Sequence, residues 1–198
     1  MKKNKALASI IVLILAVWSA PVLPGQPQNA VVPDGFLGVP WGANTDQVVK
    51  AMKGRGCRPL QGAESGRLVF KGAFAGEPCQ LSFRLLANSF YSATANFIAR
   101  SSRPAAPRQA FQRIVQDLTA KYGPPTTRGS GTLKTNDGKE HPQEGAVWEL
   151  LDGRTSDKYS ITVDLGVTWF MDDTGDQYVV NVSYWAASLG ERLKEKEY

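Results

Sequence analysis

"GFLGVPWGANTDQVVKAM", residues 35–52, is the most sharply patterned stretch of the chain, and the reading of the fold starts there. Asn44 stands where a helix cap belongs, and Gln47, three residues on, completes a capping box. Val48, Val49 and Met52 form one apolar side, and Gly54 supplies a stop. A short helix is therefore predicted from Thr45. Gly42 allows a tight approach to the cap, and Trp41 can pack back over the helix as a buried anchor; the competing reading of Trp41 is a ligand-stacking ring.

Past this helix the apolar period falls from 3.6 to 2. "GRLVFKG" (66–72), "CQLSFRLL" (79–86) and "SFYSATANFIA" (89–99) alternate like half-buried strands, and "SSRPAAP" breaks the pattern. The second half then repeats the order. "PRQAFQRIVQDLTAKYG" (107–123) sets Phe111, Ile114, Val115, Leu118 and Tyr122 on one helical face, with Pro107 in the first turn and Gly123 at the end. "AVWELL" (146–151), "YSITVDLGVTWFM" (159–171) and "QYVVNVSYWAA" (177–187) read as three more strands. The 126–145 stretch between helix and strands reads as a long polar loop.

The predicted class is α+β: two α-β-β-β repeats, residues 41–103 and 104–187, forming one antiparallel sheet with helices on one face and the other face open. Residues 31–40 are expected as linker and 188–198 as a charged, solvated tail, with a frayed helix as the alternative. Alternation assigns Leu81, Phe83, Leu85, Ile161, Val163, Val180 and Val182 to the helix side. It assigns Arg84, Phe90, Phe170 and Trp185 to the open side, among Ser, Thr, Asn and Asp. Aromatic and arginine anchors amid hydrogen-bonding groups suit a binding surface. A solvated sheet face with isolated rings is the plainer alternative.

The N-terminus has a different character. "MKKNK" followed by the uncharged apolar "ALASIIVLILAVWSA" (6–20) has the layout of a secretory signal peptide within residues 1–30, with an uncleaved anchor as the alternative. The formal charge of +5 comes largely from this segment. Taking its three lysines from 23 basic residues leaves 20 against 18 acids, a net of +2. No basic stripe interleaved with aromatics remains to follow a phosphate backbone, so nucleic acid is not an expected partner. A periplasmic or secreted location follows, or an inner-membrane anchorage if the leader is retained, with that segment the only membrane contact expected.

Cys57 and Cys79 are the only cysteines, and in an exported chain an isolated pair is expected to form one structural disulfide, worth roughly 3 kcal/mol on the chain-entropy model. A redox pair or two metal ligands would be the functional alternatives, but there is no Cys-x-x-Cys and only one histidine, His141. His141 lies in the polar 126–145 stretch and is expected at the surface. Neither a nucleophile elbow nor a phosphate loop occurs, and "MDDTGDQ" (171–177) fails the calcium-loop spacing and reads as a hairpin turn. No metal, cofactor or catalytic residue is expected. Paired carboxylates need only meet in space, which leaves a hydrolase with dispersed carboxylates as one alternative function.

The stretch "GVPWGANTDQVVKAM" and the later "LTAKYGPP", each followed by strands, resemble a group of uncharacterised bacterial exported proteins that open with a Trp-Gly-Ala-capped helix. The α-β-β-β unit also resembles the β-lactamase-inhibitor-protein-like fold, shared by outer-membrane assembly lipoproteins of the SmpA/OmlA type. That resemblance implies a protein-binding module without catalysis, and it implies the Cys57–Cys79 pair as structural only. The chain departs from it in lacking a lipidated cysteine and a second disulfide. The expected function is a non-enzymatic envelope protein that engages another envelope protein; the alternative is a small-ligand or glycan binder.

Overall fold

The computed structural model describes residues 31–64, 66–98, 105–134, 140–169 and 176–196. The expected leader and Phe170 lie outside the described residues, as does most of the 171–177 turn.

The chain enters through a tight hairpin, β1 (Gly35–Phe36) and β2 (Val39–Pro40), turned at Leu37 and Gly38, both at positive φ. The segment expected as linker is therefore structured from Gly35 onward. Phe36 and Val39 flank the turn and both point into the core, where the Phe36 ring lies 5.1 Å from Tyr184, 5.5 Å from Phe74 and 5.8 Å from Phe83.

Helix α1 (Thr45–Gly54) starts at the capping box: Gln47 N–H donates to Asn44 Oδ1 and Asn44 N–H to Gln47 Oε1, each at 2.9 Å. A second cap comes from a distant turn, since Asn88 Oδ1 accepts from Thr45 N–H at 3.0 Å and from Thr45 Oγ1 at 2.8 Å. Val48 and Met52 are buried. The left-handed residue that ends the helix is Gly56, at φ 75°, rather than Gly54.

The strands β3 (Arg58–Glu64), β4 (Arg67–Phe74), β5 (Glu77–Leu86) and β6 (Ser89–Ile98) follow, then α2 (Ala105–Tyr122). The second half runs β7 (Thr127–Lys134), β8 (Glu140–Leu151), β9 (Lys158–Trp169), β10 (Asp176–Ala186) and α3 (Ala187–Glu195). Eight strands form one antiparallel sheet in the order β3-β4-β5-β6-β10-β9-β8-β7, so the halves meet where β6 pairs with β10. The fold is α+β, with the helices lying on the sheet.

Two features differ from the sequence reading. Each half contributes four strands rather than three, because the outermost strands, β3 and β7, carry almost no apolar alternation. Lying at the rim, they have little core to face. Within the 126–145 stretch, expected as loop, Thr127–Lys134 form β7 and β8 begins at Glu140; residues 135–139 lie outside the described residues. The charged tail is also not simply solvated: it forms α3, with Leu193 buried.

One face of the sheet carries the main core. Phe111, Ile114, Val115 and Leu118 of α2 and Val48 and Met52 of α1 share it with Leu81, Phe83, Ile161, Val163, Val180 and Val182. Trp148 is buried there too, its Nε1–H donating to Gly123 O at 2.8 Å. Helix α3 sits on the opposite face. A Cβ added at its Gly190 would lie 3.1 Å from both Tyr91 Cδ2 and Trp185 Nε1, and Trp185 alternates with the core residues Tyr184 and Ala186. Ser188 Oγ accepts from Lys158 N–H at 2.9 Å, and Arg192 pairs with Asp157 at 2.6 Å. These contacts fix α3 over one end of the second face, and the described helices leave the rest of it uncovered.

Candidate functional site

Strand register places side chains of the uncovered face in rows that cross the sheet. One row runs Val69, Ser82, Thr94, Ser183, Thr162 and Val147, from β4 to β8. The next runs Lys71, Gln80, Asn96, Asn181, Asp164 and Gly145. The row nearer α3 runs Arg67, Arg84, Ser92, Trp185, Ser160 and Glu149. Hydroxyls therefore occupy four neighbouring strands in one row, and amides with a carboxylate occupy four in the next.

The groups interact along these rows. Thr94 and Ser183 share a hydrogen bond at 3.2 Å. Arg67 Nε–H donates to Ser82 Oγ at 2.9 Å. Val69 stands directly opposite Ser82, and Val69 and Ser82 are both buried. Asp164 is exposed but ringed by sheet atoms, with Gly145 opposite; partial loss of water raises its carboxyl above the usual aspartate range. Arg67 and Arg84 face each other directly across β4 and β5. Register also sets Glu64 of β3 opposite Arg67 on its other side.

The four residues singled out from sequence divide. Arg84 and Trp185 stand in one row of the open face, Arg84 exposed and Trp185 43% exposed with its indole against α3. Phe170 lies outside the described residues. Phe90 belongs to the core and is corrected here: it is fully buried, its ring 4.9 Å from Trp41 and 5.3 Å from Phe83. The cause is a bulge. Arg84 pairs with Ser92 but Leu85 pairs with Phe90, so Tyr91 is an extra residue in β6 and the alternation reverses before it. Strict period-2 counting assigned Phe90 to the wrong side.

Trp41 is held as an anchor, packed on Phe90 and donating its Nε1–H to Pro33 O at 2.7 Å. His141 is buried, contrary to the surface position expected of it, with Nδ1 3.3 Å from the Tyr178 hydroxyl. Register sets it opposite Leu133 of β7. Cys57 and Cys79 are both buried and are free thiols in the structure, so the expected bond is not formed in it. They are neighbours nonetheless. Gly72 pairs with Cys79, and a Cβ at Gly72 would fall 2.7 Å from Cys57 Sγ, so the missing side chain makes room for the sulfur. Burial first, then the nearby Cys57, pushes the Cys79 thiol up to about 11.

Among the described residues no group of three or more His, Cys, Asp or Glu is placed to hold a metal ion. No described helix is long and apolar enough to cross a membrane. The residues that sequence reasoning missed are the row partners Arg67 and Gln80. Each is an ordinary polar position on its own strand, and only the pairing of strands far apart in sequence assembles them. No family model, curated protein or solved structure matches this chain.

Proposed function

We propose that this chain is a non-enzymatic, exported envelope protein that binds another envelope protein through the uncovered face of its sheet. One observation carries the reading: the in-register rows of hydroxyls and amides, bordered by Arg84 and Trp185. A protein surface offers backbone and side-chain partners at the spacing such rows repeat, and arginine and tryptophan are the residues that most often anchor such contacts. Net charge near balance beyond the leader also suits a protein partner better than a polyanion.

Glycan binding is the second reading, favoured by the exposed indole of Trp185 beside Ser92 and Ser160. It is the weaker one, because the Phe90 ring it would have used lies in the core. A hydrolytic pair is weaker still. Glu149 and Asp164 stand four residues apart along adjacent strands, which sets their backbones about 14 Å apart. Glycoside hydrolysis uses carboxyls at roughly 5–9.5 Å.

The test is mild cross-linking of the native protein in cell envelope, with the captured species identified by mass spectrometry. Wild type should bring down a stoichiometric protein that Arg84→Glu and Trp185→Ala do not. Arg84→Glu relieves its repulsion with Arg67 and should melt no lower than wild type, so its loss of partner reports binding. A partner retained by both variants, or no partner at all, would refute the reading.

A further inference from the structure

The two edges of the sheet are built differently. At one edge, β3 carries Pro59, which has no N–H to offer, and its pairing with β4 is irregular at two places. Such features blunt an edge against further strands. At the other edge, β7 pairs with β8 without a break from Thr127 to Lys134 and contains no proline. Every residue of β7 whose exposure is described is exposed. At Gly129 and Gly131 an added Cβ would meet nothing within 4 Å.

An antiparallel edge strand turns alternate N–H and C=O groups away from its neighbour. In the middle of β7 that ladder lies beside Gly129, Ser130, Gly131 and Thr132, which leave an incoming backbone room. We propose that β7 is the docking edge for an extended, acidic segment of a partner polypeptide, which adds to the sheet as a ninth strand. This deepens the protein-binding function proposed above and rests on it, since the added strand would continue the rows of the open face.

Charge and shape select the occupant. Arg128 and Lys134 lie on one side of β7 by alternation, with Ser130 and Thr132 between them and no acidic residue in the strand; on β8, Glu140 stands opposite Lys134, and Glu144, opposite Ser130, is held by Arg108 at 2.6 Å. A second copy of β7 would bring two more cations to a ladder that already has two, and like charges across neighbouring strands oppose pairing. An acidic strand meets those cations favourably. On its other side Gly129 and Gly131 leave the surface bare, and larger side chains of the added strand can rest there.

The experiment uses the full-length chain and a fluorescein-labelled peptide of strand length that alternates valine with glutamate, read by anisotropy. Its lysine-for-glutamate counterpart is the control. The glutamate peptide should bind at least tenfold more tightly, the preference should shrink with salt, and Arg128→Glu with Lys134→Glu should reverse it. Ser130→Pro and Gly131→Pro are made separately. One of these two residues turns its N–H to β8 and the other outward, so one variant should lose stability. The variant that melts like wild type should lose binding at least tenfold. Hydrogen exchange should show β7 amides newly protected by the glutamate peptide.

Equal binding of both peptides, binding of neither, or full binding by the stable proline variant would overturn the proposal. So would self-association that protects β7 without peptide, which would make a second copy the occupant. If these tests fail while Arg84→Glu still releases the cross-linked partner, only the edge assignment falls. If both fail, the protein-binding function falls with it.

Discussion

Replacing Phe90 with alanine tests the bulge that reverses the alternation of β6. The ring is fully buried between Trp41, at 4.9 Å, and Phe83, at 5.3 Å. The space it leaves cannot readily close. Trp41 is tied through Nε1 to Pro33, and the Phe90 backbone is fixed on both sides, accepting from Gly42 N–H at 2.8 Å and donating to Ala43 O at 2.9 Å. A buried phenylalanine cut to alanine costs about 3–5 kcal/mol, and a site that cannot collapse does not fall at the low end of that range. We expect a loss of about 4 kcal/mol. For a domain of this size that lowers the melting temperature by roughly 8–16 °C. Phe90→Leu keeps most of the volume and should cost about 1–1.5 kcal/mol. Urea unfolding followed by far-UV circular dichroism, with both variants compared at one pH, gives the two values. An exposed ring would show no such gradient. If Phe90→Ala costs less than about 1 kcal/mol, the reversed register and the packing of Trp41 on this residue are both wrong.

Two further outcomes follow from ionisable groups. Because the Asp164 carboxyl titrates above its usual range in the folded chain, the folded state holds its proton to higher pH than the unfolded state does. Stability contributed by this residue is therefore present at low pH and lost as pH rises from the usual aspartate value through the raised one; Asp164→Asn should flatten that decline in urea titrations between pH 3 and 7, and an unchanged slope would refute it. For the cysteines we propose that Cys57 and Cys79 close into a disulfide when a thiol oxidant of the dithiol–disulfide exchange type accepts their two electrons and two protons. Protein isolated from its native cells and denatured without reductant should then take up no alkylating agent, and two adducts would refute the pairing. In the reduced native protein Cys79 should react slowly at pH 8, since a thiol raised to about 11 stays protonated there.

The two halves of the molecule show where local pattern suffices. Helix α2 has its buried set, Phe111, Ile114, Val115, Leu118 and Tyr122, at the positions the helical period requires, and α1 begins at the Asn44–Gln47 box. Those signals act within a few residues, so the chain itself specifies them. The same holds for the core sides of β5, β9 and β10, where unbroken alternation gives Leu81 and Phe83, Ile161 and Val163, and Val180 and Val182 to the interior.

What the tertiary structure decided lies wherever a residue's environment depends on a distant strand. Phe90 turns inward because β5 and β6 differ by one residue in their pairing, and nothing in "NSFYSA" marks Tyr91 as the extra one. Strands β3 and β7 escape notice because edge strands have little core to face, and burial is what writes an apolar period into a sequence. His141 is buried beside Tyr178, which lies 37 residues further along the chain. The rows of the open face exist only after β6 meets β10, when Asn96 and Asn181 come to stand side by side. Composition and period determined that this chain builds helices over an antiparallel sheet. Pairing between residues far apart in sequence determined which side chains that sheet presents, because register is a property of two strands and cannot be read from one.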